Sequence, residues 1–74
     1  MISSVVARLE SNSQLSQVCS KLEGHSAVEL GPVVDGICLP LTLEAETPEE
    51  LEDLHKWLRD QPGIEFVDVV CVYF

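Results

Sequence analysis

Leu15, Val18, Cys19 and Leu22 fall at the i, i+3, i+4, i+7 spacing of one buried helix face, and Leu51, Leu54, His55 and Leu58 repeat that spacing 36 positions later. Runs of strand-type residues stand before and after each stripe. The chain therefore reads as strand–helix–strand written twice. Two such halves bury their helices by sharing one sheet.

The first strand is expected over Ile2 to Leu9, which is rich in β-branched and aliphatic residues. Glu10-Ser11-Asn12-Ser13 supplies N-cap residues for a first helix ending near Glu23, and Gly24 stands where a left-handed C-terminal cap belongs. Ala27 to Val34 predicts a second, weaker strand, interrupted by Gly31-Pro32 and so placed at a sheet edge. Asp35-Gly36 is a tight-turn signal before a third strand, Ile37 to Ala45. Thr47-Pro48-Glu49-Glu50 opens the second helix with a Thr cap, Pro at the first helical position and a Glu able to close a capping box. That helix stops before Pro62-Gly63, and Ile64 to Tyr73 is the fourth strand. The order βαββαβ with right-handed crossovers predicts a single ferredoxin-like α+β domain over residues 1–74. Its antiparallel sheet has order 4-1-3-2, with both helices on one face. Pro40 conflicts with an interior third strand, and a bulge there would accommodate it.

Alternation assigns the faces. Ile37, Leu39, Leu41 and Leu43 point to the helices with Val5, Ala7 and Leu9, and on the fourth strand Val67, Val69, Cys71 and Tyr73 join them. The uncovered face then holds Ile2, Ser4, Val6 and Arg8, Cys38, Pro40, Thr42 and Glu44, and Phe66, Asp68, Val70, Val72 and Phe74. A solvated sheet face is normally polar. This one carries Ile2, Val6, Phe66, Val70, Val72 and Phe74 on adjacent strands, an apolar patch of the kind that marks a partner site. Candidate partner contacts are Ile2, Ser4, Val6, Arg8, Thr42, Glu44, Phe66, Asp68, Val70 and Val72. Weak homodimerisation through this face, or a register displaced by one residue, stays open.

Charge narrows the partner. Thirteen acidic and four basic side chains give a net charge of −9 over 74 residues. Such a surface repels nucleic acid and anionic membrane, and it suits either a basic partner or simple solubility. Three widely spaced cysteines form no CxxC pair and no disulfide framework, which points to a reducing compartment. No basic start with a long apolar run follows Met1, and no stretch approaches the ~20 apolar residues of a membrane helix, so a cytoplasmic protein without membrane insertion is expected.

Enzymatic and cofactor signatures are lacking. The turn after the first strand has no glycine to cradle phosphate, and His25 and His55 have no cysteine at metal-ligand spacing. His25 is expected on an exposed turn, His55 as a half-buried packing residue and Trp57 as a lid on the core. The acidic run from Glu44 to Asp53 complements a helix N-terminus or attracts a basic ligand. Cys38 points outward with no base or cation evident beside it.

Ile2-Ser3-Ser4-Val5-Val6, Leu43-Glu44-Ala45-Glu46-Thr47, Pro62-Gly63-Ile64 and Val67-Asp68-Val69-Val70 together resemble the NapD family of assembly chaperones over nearly the whole chain. The motifs are hydrophobic patterns rather than a catalytic signature, and the Pro40 segment departs from the family's smooth third strand. The resemblance implies a cytoplasmic ferredoxin-like domain without cofactors. Its partner would be the twin-arginine signal peptide of the periplasmic nitrate reductase catalytic subunit, a molybdenum enzyme, restrained from export until its cofactors are installed. A rival reading is an ACT-like regulatory domain of the same topology, but the Glu10-Ser11-Asn12-Ser13 turn lacks the glycine such ligand sites often use.

Overall fold

In the computed structural model, which describes residues 1–73, strand β1 (Ile2–Leu9) runs through the sheet interior. It pairs antiparallel with β3 (Cys38–Glu44) on one side and β4 (Ile64–Tyr73) on the other. The short strand β2 (Val28–Leu30) borders β3, so the sheet order is β2-β3-β1-β4. This is the expected order read from the opposite edge, and the fold is ferredoxin-like α+β. Helices α1 (Leu15–Glu23) and α2 (Pro48–Arg59) cover one face. The period-2 apolar rows Val5, Ala7, Leu9 and Leu39, Leu41, Leu43 there meet the 3.6-period stripes Val18, Leu22 and Leu51, Leu58 to form the core. Among the described residues, no helix is long and apolar enough to cross a membrane.

Capping chemistry sets the helix starts. The Ser11 hydroxyl accepts from the Ser13 amide at 3.2 Å, and one 3₁₀ turn, Asn12–Gln14, leads into α1. Gly24 is not the left-handed cap expected: its φ of −72° is right-handed. Gly63, by contrast, is left-handed, with φ 91°, and an added Cβ there would lie 3.0 Å from Val18 Cγ2. At α2 the Thr47 hydroxyl accepts from the Glu50 amide at 3.1 Å, with Pro48 in the first turn. Glu50 reaches back to the Glu46 amide at 3.1 Å, one residue before the position a capping box uses.

Pro40 needs no bulge. The β1–β3 register runs unbroken from Ile2↔Glu44 to Arg8↔Cys38, with Val6 opposite Pro40. In an antiparallel strand one residue's N–H and C=O point to the same neighbour, and the Pro40 carbonyl accepts from the Gly31 amide of the β2 side at 2.8 Å. The missing N–H therefore faces the frayed end of β2, where little ladder remains to lose. Gly31 permits the approach: a Cβ there would sit 3.3 Å from the Pro40 oxygen. For the same reason β2 is shorter than the expected Ala27–Val34 run. Beyond it, a single bridge Val34↔Cys38 closes the turn at Asp35 and Gly36, whose φ values are 57° and 74°.

β4 is irregular instead, at two places: Glu65 is skipped between Phe66, opposite Arg8, and Ile64, opposite Leu9, and the second, a bulge, lies near its far end. Val5 pairs with Val69 but Ser4 pairs with Cys71, so Val70 is an extra residue. Beyond it the alternation inverts. Val72 pairs with the fully buried Ser3 and packs against the core, whereas Cys71 and Tyr73 pair with Ser4 and Ile2 of the uncovered face. Val72 was expected outward and Cys71 and Tyr73 inward; all three are reversed, because one inserted residue flips every side chain after it. Phe74, also expected on the open face, lies outside the described residues.

Candidate functional site

The sheet face opposite the helices is built by outward rows that cross β4, β1 and β3. One row is Tyr73–Ile2–Glu44, the next Cys71–Ser4–Thr42, which continues to Glu29 of β2, then Asp68–Val6–Pro40, and last Phe66–Arg8–Cys38. Nine of the ten residues expected there are brought together; Val72 is the exception. The apolar members are well exposed, with Val70 at 64%, Tyr73 at 60% and Phe66 at 49%. A shallow groove of about 380 Å³ crosses the centre, lined by Val6, Val70, Pro40, Ser4 and Thr42 and closed at the edge by Glu29 and Gly31.

Charge is distributed unevenly over this face. Glu44 and Glu29 lie toward its β2–β3 corner, Asp68 stands opposite Val6, and Arg8 is the cation at the far end. Arg8 holds its guanidinium carbon 6.0 Å from the centre of the Phe66 ring, within cation–π range. Among the described residues the ion pair within 4.0 Å joins Arg59 to Glu52 on α2, so Glu29, Glu44 and Asp68 are not neutralised by a neighbour.

The histidines and the tryptophan do not belong to this face. His55 is 7% exposed and its Nε2 shares a 2.8 Å hydrogen bond with the hydroxyl of Ser3, itself fully buried. Burial holds its imidazolium below the ordinary histidine range, with Glu52 pulling the other way and Arg59 adding to the depression. His25 is not on a freely exposed turn: its ring lies 4.7 Å from the Trp57 ring at 49°, and its Nδ1 accepts from the Ala27 amide at 3.2 Å. Trp57 packs on the core edge, as a lid should.

Sequence reasoning missed Cys71, Tyr73, Glu29 and Gly31 as parts of the open face. Glu29 was legible in principle, since alternation from Val28 and Leu30 aims it outward; the other three depend on the bulge or on the close approach to Pro40. Burial, with Glu23 adding to it, raises the Cys19 thiol, and no cysteine is in a disulfide.

Among solved structures, the chain is similar to the solution structure of the E. coli Tat proofreading chaperone protein NapD. The TM-score is 0.85 at 22% sequence identity, covering 100% of this chain and 78% of that one. At that identity the likeness establishes a shared fold, the NapD-like ferredoxin arrangement. No family model matches the chain, and no curated protein does.

Proposed function

We propose that this protein is a non-enzymatic assembly chaperone that binds a twin-arginine signal peptide on its open sheet face. The observation that carries the reading is an apolar groove, centred on Val6, Val70 and Pro40, on a face that none of the described elements covers. Its fold-mate is named a Tat proofreading chaperone, and the groove adjoins carboxylates suited to a basic segment.

The mechanism follows from dimensions and magnitudes. From Ile2 to Arg8 the face spans about 20 Å at ~3.3 Å per residue, the length of roughly 13 residues of helix. Covering ~400 Å² of apolar surface contributes about 10 kcal/mol gross at ~25 cal/mol/Å², much of it offset by association and ordering costs. Exposed ion pairs contribute roughly 0–1 kcal/mol each. Affinity thus comes from Ile2, Val6, Phe66, Val70 and Tyr73, while Glu29, Glu44 and Asp68 set orientation and on-rate. Binding masks the signal until the client's cofactors are installed, which requires a cytoplasmic location. The resemblance of the Ile2–Val6, Leu43–Thr47, Pro62–Ile64 and Val67–Val70 segments to NapD-type proteins supports a molybdenum-dependent periplasmic nitrate reductase as the client.

Calorimetric titration with a synthetic twin-arginine signal peptide tests the reading. Val6→Glu sets an unpaired charge at the groove centre and should weaken binding at least tenfold, about 1.4 kcal/mol, while leaving the fold intact. Unchanged affinity would sink the open-face site, and a concentration-dependent dimer that Val6→Glu abolishes would favour homodimerisation instead.

A further inference from the structure

A second groove, of about 370 Å³, lies around the sheet corner from the open face, between the turn after α1 and the first three turns of α2. Its walls are apolar and aromatic: Leu54 and Trp57 from α2, Ala27 and Ala45, and His25 tilted against Trp57. Three carboxylates rim it, Glu44 from the end of β3 and Glu50 and Asp53 from α2. Glu50, Asp53 and Trp57 repeat at i, i+3, i+7 and so share one side of the helix. No lysine or arginine is paired with any of the three among the described residues. The Met1 ammonium lies at the adjoining end of this acidic trough, held 2.7 Å from the Ala45 carbonyl oxygen.

The two grooves adjoin through a third depression. Glu29 and Thr42 line the open-face groove and also a small depression at the sheet edge, and that depression shares Ala27 and Glu44 with the Trp57 groove. A chain lying on the open face can therefore turn one side chain over Glu44 into it.

Resting on the peptide-binding reading above, we propose that the Trp57 groove is a guanidinium subsite that takes an arginine of the bound peptide. A planar, weakly hydrated cation stacks on an indole face while its fork donates to carboxylates, which matches one aromatic wall beneath an acidic rim. Lysine fits less well, because a compact ammonium gives up more hydration and cannot donate as a fork. The subsite selects for arginine at the end of a peptide whose apolar part lies over Val6 and Val70.

The protein carries one tryptophan, so Trp57 emission reports on this groove directly. Three synthetic peptides share one apolar segment preceded by Arg-Arg, Lys-Lys or Gln-Gln, and each is titrated into the wild-type protein and into Asp53→Asn by calorimetry and by fluorescence. The Arg-Arg peptide should shift Trp57 emission and the Gln-Gln peptide should not. Asp53→Asn should weaken the Arg-Arg peptide about threefold or more, with a smaller effect on Lys-Lys and none on Gln-Gln. Peptides that bind with Trp57 emission unmoved, or an Asp53→Asn penalty equal for all three, would overturn the subsite while leaving the open-face reading standing. Wild-type protein that binds none of the three would overturn both.

Discussion

Val70 and Val72 stand two residues apart on one strand, yet the bulge sends them to opposite faces, so glutamate at each should have opposite consequences. At position 70 the side chain is 64% exposed, the new carboxylate stays hydrated, and stability should remain within about 0.5 kcal/mol of the wild type. At position 72 the valine packs against the core. Its replacement forfeits part of the about 1.5–3 kcal/mol that burying a valine contributes. Desolvating the carboxylate adds about 1–3 kcal/mol more. A combined loss of roughly 2–4 kcal/mol is a large share of the about 4–11 kcal/mol expected of a domain this size. At roughly 4–8 °C per kcal/mol, Val72→Glu should melt at least about 8 °C lower, while Val70→Glu melts like the wild type. Thermal denaturation followed by far-ultraviolet circular dichroism reads the difference. Peptide binding should reverse the ranking, with Val70→Glu losing tenfold or more and folded Val72→Glu binding like the wild type. Equal melting temperatures in the two variants would refute the bulge and the face assignment built on it.

Thr47→Ala removes the acceptor for the Glu50 amide and should cost about 0.5–2 kcal/mol in urea denaturation, without altering affinity for the Gln-Gln peptide, which engages only the open face. Because His55 resists protonation when folded, the unfolded chain binds its proton first, at about pH 6.5. The His55 contribution to stability should be complete above that pH and decline below it, until the folded imidazole also protonates. The urea midpoint of His55→Gln should fall less between pH 8 and pH 5.5 than that of the wild type; parallel falls would remove His55 from the acid response.

Periodicity carried most of the fold because the helix stripes and the β1 and β3 alternations are uninterrupted, and each is read from residues close in sequence. It failed on β4 for a physical reason. Val67-Asp68-Val69-Val70-Cys71-Val72 contains no glycine or other bulge signal, and any of its valines suits either face, so nothing local marks where the parity changes. Pro40 misled in the other direction: the residue looked like a disruption, but the cost falls on a β2 that ends at Leu30. The open face was legible through Ile2, Val6 and Phe66. The contact of His25 with Trp57 was not, since it joins residues 32 positions apart on elements whose packing no periodicity encodes.

The bulge has a consequence for assembly as well as for side-chain direction. β4 is a ten-residue edge strand whose last five residues, Val69 to Tyr73, carry no charge. Such a strand offers a row of free backbone donors and acceptors, and uncharged β-branched segments of this kind are the raw material of fibrils. Val70 breaks the row. The stretch before it and the stretch after it are out of phase, so a strand arriving from another molecule can match one but not both. The irregularity that carries Val72 into the core thus also blunts the sheet against edge-to-edge growth.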